Sequence, residues 1–154
     1  MDDSDRLDFL DGLQHTGIRP GLGRTRALMA RLGHPERAFP SVLITGTNGK
    51  GSTAAFLESI LRVAGYRTGL FTSPHLLEVR ERIRIDGEQV DRETFAALGA
   101  EVRAAMDRGP RRVRATFFEA LTGIGFLAFA RAGVDLAVVE VGMGGRWEIG
   151  RAHV

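Results

Sequence analysis

The spacing of hydrophobic and polar residues divides the chain into alternating helices and short apolar strands. Helical spacing predicts helices over residues 4–14, 24–32, 51–64, 92–106 and 116–133. Short apolar runs predict strands over residues 41–45, 67–73 and 134–142. The alternation of residues 81–90 around Asp86-Gly87 predicts a tight hairpin. Strands that alternate with helices in this way indicate an α/β fold, with a parallel sheet covered by helices on both faces.

A glycine-rich segment from Gly46 to Ser52 joins the first predicted strand to a helix. It does not match the P-loop pattern G-x-x-x-x-G-K-[ST], because Ile44 replaces the first glycine and Gly51 follows Lys50. The chain has 20 arginines but only one lysine, Lys50. A compact ammonium reaches between phosphates better than a planar guanidinium does. Since a lysine placed at random among the 21 basic positions would fall here about once in 21 cases, the composition favours a phosphate-binding loop.

The other two predicted strands also end in residues suited to binding. The second strand is followed by Thr-Ser-Pro-His at residues 72–75, and the third ends at Glu140, before several glycines. Ligands of parallel sheets bind outside the carboxyl ends of the strands, where a carboxylate can bind Mg²⁺ directly or through water. We therefore expect the glycine-rich loop, residues 72–75 and Glu140 to meet at one edge.

Each of these features also has a purely structural alternative. A glycine-rich turn is common between a strand and a helix, and Glu140 could be an exposed residue at a strand end. Ser73 could simply begin a turn before Pro74. Thr116 and Glu119 fit a capping box for the helix that they open. The functional interpretation depends on the convergence of several features, since none is sufficient by itself.

Composition limits the class of protein. The 154 residues are 44% hydrophobic and 26% charged, which is typical of one globular domain with a buried core. We expect a cytoplasmic protein without a membrane span or secretory signal, because no apolar run is long enough. There are no cysteines, and the net charge is only +2. The arginines at positions 108, 111, 112 and 114 are interpreted as a solvated loop, so no nucleic-acid partner is expected.

Five motifs follow one another along the chain: TGTNGKGS, LFTSPHL, ERIRIDGE, TFFEALT and VVEVGMGGRW. In order and spacing they resemble the N-terminal part of the folylpolyglutamate synthase and dihydrofolate synthase family of the Mur ligase superfamily. The resemblance extends from about Gly21 to Trp147. This superfamily uses a shortened G-T-x-G-K loop, which accounts for the failed P-loop pattern. The resemblance implies a P-loop NTPase-like Mur ligase ATP-binding domain, here truncated, with a small β-hairpin.

The resemblance also implies roles for individual residues. The phosphates of ATP would be held by Thr47, Asn48, Gly49, Lys50, Gly51 and Ser52, with Lys50 as the catalytic cation. Mg²⁺ would be bound by Ser73 and Glu140. The pterin pocket would be bordered by Arg19, Pro20, Gly21, Thr116, Phe117, Phe118, Glu119 and Trp147. Aromatic walls with a few polar groups suit a flat, hydrogen-bonding heterocycle.

The reaction implied by the resemblance is ATP-dependent addition of L-glutamate to dihydropteroate or tetrahydrofolate through an acyl phosphate. We expect residues 1–147 to be the N-terminal part of the ATP-binding domain of a monomeric ligase. Because the C-terminal glutamate ligase domain is not in this sequence, we expect little activity from the chain alone. The alternatives are a non-catalytic P-loop nucleotide-binding module and a fragment of a peptidoglycan Mur ligase, which the KGS and FTSPHL motifs disfavour.

Residues 148–154 depart from the family pattern. After Gly-Gly-Arg and one further residue the family continues with Asp-Ala-Thr-Asn, but this chain reads Glu-Ile-Gly-Arg-Ala-His-Val. The last six residues can be encoded by ATC-GGA-AGA-GCA-CAC-GTC, which matches the start of a widely used sequencing adapter. We therefore predict that residues 148–154 are a non-native tail and assign no function to Arg151 or His153.

Overall fold

A computed structural model of the protein describes residues 9–17 and 19–141. The helices are α1 (9–13), α2 (Gly23–Arg31), α3 (Lys50–Val63), α4 (Arg92–Asp107) and α5 (Phe117–Ala132). The strands are β1 (Ser41–Ile44), β2 (Thr68–Phe71), β3 (Ile83–Ile85), β4 (Glu88–Gln89) and β5 (Leu136–Glu140). Short 3₁₀ helices cover Gln14–Thr16, Pro35–Arg37 and Val79–Arg82. The predicted elements after α1 are confirmed to within two residues at each end, whereas Trp147 and residues 148–154 lie outside the described ranges.

The strands form one five-stranded sheet in the order β1-β5-β2-β3-β4. The strands β1, β5 and β2 are parallel, so that Ile44 lies beside Glu140 and Phe71 beside Val139. The predicted hairpin is present, and it pairs antiparallel with β2 and continues the same sheet. The sheet is therefore mixed, and its parallel part is confined to the three strands that end at the predicted site.

The turn of the hairpin has the backbone conformation that its sequence predicts. Both central residues have positive φ, 52° at Asp86 and 83° at Gly87. Two-residue hairpin turns of type I′ require positive φ at both central positions, which explains the Asp-Gly pair. The Asp86 carboxylate also accepts a hydrogen bond from the amide of Thr68 at 2.9 Å, so the turn is attached to the start of β2.

Helices cover both faces of the sheet, as predicted. Successive side chains of a strand point to opposite faces, and on one face Leu70 and Val138 pack with Ala54 of α3. On the other face Phe71 belongs to the main core, which includes Phe129 and most of α5. This arrangement places α3 above the parallel strands, with its first turn over their carboxyl ends.

The remaining helices and loops complete the main core. Helix α4 packs against α5 and α2. Its first turn is capped by the Asp91 carboxylate, which accepts a hydrogen bond from the Thr94 amide at 2.8 Å. The four arginines at positions 108, 111, 112 and 114 are exposed, as the sequence predicted. In the part of the chain that is described, no helix has the length and apolar character needed to cross a membrane.

Candidate functional site

The glycine-rich loop leads from β1 into α3. Gly49 precedes the helix with a φ of 75°, and no side chain from the described ranges caps the first turn. The Lys50 side chain folds back over the loop, and its Nζ donates to the Gly46 carbonyl at 2.9 Å. Uncapped amide groups at the start of a helix are donors that an anion can satisfy. The loop, the helix terminus and Lys50 therefore present positive charge to one small region.

Glu140 lies at the end of β5, between β1 and β2, with only 5% of its surface exposed. Its Oε2 accepts a hydrogen bond from the Ser73 amide at 3.0 Å. A Cβ added at Gly51 would lie 3.4 Å from the same Oε2, so the carboxylate is directly beside the first turn of α3. The structure thus brings together the three features that the sequence predicted at this edge.

The Ser73 and Glu140 pair has the chemistry that Mg²⁺ requires. Mg²⁺ is usually held by one or two protein oxygens, with phosphate and water filling the other positions. The Glu140 Oε1 accepts no hydrogen bond from the described residues, and nowhere in those residues do three acidic, histidine or cysteine side chains converge on a metal site. The pair therefore fits a metal ion that is also bound by a phosphate. Two residues are too few to bind the ion without such additional ligands.

A second group of residues lies at the start of α5. Thr116 and Glu119 form the predicted capping box, in which the Glu119 carboxylate accepts from the Thr116 amide at 2.8 Å. The same carboxylate receives two hydrogen bonds from Arg24, at 3.1 and 2.9 Å. Arg24 also donates to the Arg19 carbonyl at 2.5 Å, which fastens the turn of residues 19–21 to α5. The Glu119 carboxylate is thus fully engaged within the protein.

The two adjacent phenylalanines of α5 have different surroundings. The Phe118 ring packs edge-on against Phe71, with 5.8 Å between the ring centroids, and therefore faces the core. The Phe117 ring lies under the guanidinium of Arg82, whose Cζ is 5.4 Å from the ring centroid. The sequence could not distinguish the two. Both rings pack against the main core, but Phe117 also contacts Arg82 at the polar edge, which is the end of the sheet where Ser73, Arg82 and Glu140 lie.

The residues predicted for the pterin pocket do not gather around one cavity in the described ranges. Arg19 and Thr116 line a cavity of about 390 Å³, whose other walls include residues 112–115 and Thr16. Phe117 and Phe118 do not line it, and Trp147 lies outside the described ranges. The predicted set is therefore divided between this cavity and the polar edge occupied by Arg82.

Arg82 and Arg24 are the two site residues that the sequence reasoning missed. The Arg82 Nε donates to the His75 Nδ1 at 2.8 Å. Burial lowers the pKa of His75, and the positive charge of Arg82 lowers it further. Arg82 could have been noticed as part of the ERIRIDGE motif, but nothing local distinguishes Arg24 from the other arginines.

Comparisons with known proteins find similar sequences and similar structures. The chain is 41% identical over 148 residues to the dihydrofolate synthase/folylpolyglutamate synthase of Bacillus subtilis. It superimposes with a TM-score of 0.85 on Escherichia coli FolC in complex with DHPP and ADP, with 37% identity over 96% of this chain. The chain is a relative of the folylpolyglutamate and dihydrofolate synthases. A Yersinia pestis bifunctional synthase complexed with AMPPNP and a Mn ion is also similar, with a TM-score of 0.83, 34% identity and 96% of this chain covered.

The similarity to these synthases covers only part of their length. The match covers 94% of this chain but only 34% of the Bacillus subtilis protein, and the chain covers about the same share of the two solved structures. No protein-family profile matches the chain. What the chain shares with the synthases is therefore the sheet and the edge described above, and the activity of a whole synthase does not follow from the match alone.

Proposed function

We propose that this chain forms the part of an ATP-dependent ligase that binds ATP and the acid substrate, dihydropteroate or tetrahydrofolate. The observation that carries the proposal is the meeting of Gly51, in the first turn of α3, with Ser73 and Glu140 at the carboxyl edge of the three parallel strands. The similar structures that are complexed with ADP, or with AMPPNP and a Mn ion, support it. The complete ligase would then join L-glutamate to the acid.

The nucleotide would lie with its phosphates against Thr47–Ser52 and the first turn of α3. The uncapped amides of that turn donate to phosphate oxygens, and Lys50 can leave the Gly46 carbonyl to contact the terminal phosphate. A Mg²⁺ ion held by Ser73 and Glu140 would neutralise charge on the transferred phosphoryl group. The burial of Glu140 keeps its carboxylate fixed beside the helix, so the site is organised before ligands bind.

The acid substrate would approach from the side of α5. Phe117 offers an aromatic surface at the polar edge, and Thr116 and Arg19 border the adjacent cavity. Arg24 holds the turn of residues 19–21 in place through Glu119, so its role is to position these groups. Glu119 would act on the substrate indirectly, because its oxygens already accept bonds from Arg24 and Thr116.

The chemistry consists of two substitutions. A carboxylate oxygen of the acid forms a bond to the γ-phosphorus, and the bond from that phosphorus to the bridging oxygen breaks, releasing ADP. The amine of L-glutamate then forms the amide bond to the acyl carbon, phosphate leaves with the bonding electron pair, and the amine loses a proton. Lys50 and the amides of α3 stabilise negative charge on the transferred group during the first step.

The proposal is tested by ligand binding to the purified chain. Isothermal titration should detect ATP binding that is tighter with Mg²⁺ than with EDTA, and dihydropteroate binding in the presence of Mg²⁺ and ATP analogue. Binding of nucleotide without dihydropteroate would instead indicate a nucleotide-binding module. Binding of neither ligand, by a chain that circular dichroism shows to be folded, would contradict the proposal.

The ligase reaction is tested in a full-length protein that contains this sequence. Phosphate release should require ATP, L-glutamate and dihydropteroate or tetrahydrofolate together, since the second substitution consumes the product of the first. Phosphate release that is independent of the acid would mean that the site hydrolyses ATP for another purpose.

A further inference from the structure

Arg82 is fixed between the two halves of the proposed site. It is the last residue of the 3₁₀ helix Val79–Arg82 and directly precedes β3. Its carbonyl accepts a hydrogen bond from the Thr72 amide at 2.9 Å, which holds its backbone beside the loop that carries Ser73. The backbone of Arg82 is therefore held beside the loop of Ser73, on the side proposed for the nucleotide, and its side chain extends toward Phe117 of α5.

Two contacts orient the guanidinium. The Nε donates to the His75 Nδ1 at 2.8 Å, and the Cζ lies 5.4 Å from the centroid of the Phe117 ring. A guanidinium has five N–H donors in a rigid fork. Within residues 9–17 and 19–141, neither of its NH₂ groups makes a hydrogen bond or an ion pair. Four donors of a partly buried, oriented cation are thus available to another group.

The charge of Glu140 does not neutralise this cation by direct contact. Burial lowers the pKa of the Arg82 guanidinium, and the negative charge of Glu140 only partly opposes that shift. The two side chains nevertheless form no ion pair within 4.0 Å among the described residues. Arg82 therefore contributes a positive charge to the region between Glu140 and Phe117.

The proposed reaction brings together two groups of like charge, which a cation can stabilise. A carboxylate must approach the γ-phosphate, and both groups are negatively charged, so their mutual repulsion opposes the attack. A guanidinium binds a carboxylate through two parallel hydrogen bonds, which fixes its orientation as well as offsetting its charge. Positioning of this kind lowers the barrier by removing the need to align the reactants in solution.

We propose that Arg82 binds the reacting carboxylate of the acid substrate, between the nucleotide side of the site and Phe117. This inference rests on the proposed function, because it assumes that a carboxylic acid binds beside the nucleotide. Arg82 would recognise the carboxylate itself, whereas Phe117, Thr116 and Arg19 would contact the remainder of the ligand.

The test compares two ligands that differ only at the reacting group, dihydropteroate and its carboxamide. Isothermal titration is performed on the purified chain with Mg²⁺ and an ATP analogue. The Arg82→Gln variant should weaken dihydropteroate binding roughly tenfold to a hundredfold, the range for loss of a hydrogen-bonded charge. The affinity for the carboxamide should change by less than about twofold, because an amide carries no charge for Arg82 to pair with.

Two further variants control for indirect effects. Arg84→Gln removes an arginine of the same hairpin that is exposed, and it should leave both affinities unchanged. Arg82→Lys keeps the charge without the fork, and it should lose less dihydropteroate affinity than Arg82→Gln. If circular dichroism shows that Arg82→Gln is poorly folded, the Arg82→Lys variant is used instead. Its preference for dihydropteroate over the carboxamide should then be smaller than that of the wild type.

The outcomes separate this inference from the proposed function. If Arg82→Gln loses the same factor for acid and amide, or loses nothing, then Arg82 does not bind the carboxylate, although dihydropteroate binding by the wild type would still support the proposed function. If the folded wild-type chain binds neither dihydropteroate nor nucleotide, the proposed function fails and the role of Arg82 fails with it.

Discussion

The amide of Ser73 donates a hydrogen bond to the Oε2 of Glu140 at 3.0 Å. This bond joins the end of β2 to the end of β5, so the loop after one strand is positioned by the last residue of its neighbour. Because Glu140 is buried and its carboxylate also lies beside Gly51, three chain segments depend on one side chain. Glu140 is therefore a structural link between these segments, and in the proposed site it is also a ligand of the metal.

We expect Glu140→Gln to weaken nucleotide binding in Mg²⁺ far more than in EDTA. The amide keeps an oxygen that can accept from the Ser73 amide, but it lacks the negative charge that binds the metal. Titration of ATP with and without Mg²⁺ measures the effect, and Glu88→Gln, an exposed residue of β4, is the matched control. An equal loss under both conditions would assign Glu140 a structural role only.

Lys50→Ala should reduce ATP affinity at least about tenfold, because a charged donor to phosphate is removed. In a full-length protein that contains this sequence the same change should abolish turnover. Lys50→Arg keeps the charge but has a bulkier planar group, so we expect an intermediate affinity. The exposed Lys50 ammonium contacts only the Gly46 carbonyl among the described residues, so thermal stability should not change in either variant. Unchanged ATP affinity in Lys50→Ala would contradict the phosphate-binding assignment.

The two phenylalanines at the start of α5 should respond differently to truncation. Phe118→Ala removes a ring that packs on Phe71, so it should lower the free energy of unfolding by about 3 kcal/mol. Phe117→Ala should cost less stability but should weaken dihydropteroate binding, because this ring lies under Arg82 at the polar edge. Urea unfolding and isothermal titration of both variants measure the two effects. The reverse pattern would place the pterin surface at Phe118.

Local patterns in the sequence were sufficient to predict most of the fold and the meeting of the glycine-rich loop, Ser73 and Glu140 at one edge of the sheet. The apolar runs and their polar ends predicted the three parallel strands, and the Asp86-Gly87 pair predicted the hairpin. The hairpin's attachment to β2 could not be predicted, because it depends on pairing between Phe71 and Ile83, which are not adjacent in sequence. Likewise, the sequence gives no means to recognise that Arg24 binds Glu119, 95 residues away.

The different contacts of Phe117 and Phe118 could not be predicted from the sequence either. Both residues are phenylalanines, and α5 is apolar around almost its whole circumference, so helical spacing does not indicate which ring faces the core. Their surroundings are determined by which side of the helix touches Phe71 and which side lies beside Arg82, and both neighbours come from other elements. Contacts between residues of different elements, such as these, can be identified only from the three-dimensional structure.

Asp91 provides a test of fold stability that is independent of ligands. Its carboxylate caps α4 by accepting from the Thr94 amide at 2.8 Å, so Asp91→Ala should destabilise the protein by about 1 kcal/mol. Asp91→Asn should be nearly neutral, since asparagine also caps helices well. The Thr94 amide holds the pKa of the Asp91 carboxyl below its usual range. Its stabilising contribution is therefore present above the pKa of the unfolded chain and is lost as the pH falls through the folded pKa.

The contribution of the Asp91 charge can be measured from the pH dependence of stability. Urea unfolding of the wild type and Asp91→Asn should show the wild type losing more stability between neutral and acid pH, because only the wild type has a carboxylate to protonate. A constant difference between the two chains across this range would mean that the charge of Asp91 does not contribute to the cap.

Arg24 is predicted to stabilise the turn of residues 19–21 as well as Glu119. Arg24→Gln removes two hydrogen bonds to a buried carboxylate and one to the Arg19 carbonyl. Loss of hydrogen bonds to a charged group costs about 1.5–3 kcal/mol, and we expect a decrease of that size in the free energy of unfolding. The exposed Arg26, on the same helix, is the matched control, and Arg26→Gln should change stability by less than about 0.5 kcal/mol.

The double variant Arg24→Gln with Glu119→Gln distinguishes pairing from independent effects. Glutamine at position 119 can still complete the capping box, and it leaves no buried charge without a partner. The double variant should therefore be more stable than the sum of the two single losses predicts, by about 1 kcal/mol or more. Because the turn of residues 19–21 borders the proposed acid site, Arg24→Gln should also weaken dihydropteroate binding while leaving ATP binding in Mg²⁺ unchanged. Equal weakening of both ligands would show that Arg24 supports the whole fold and has no particular relation to the acid side of the site.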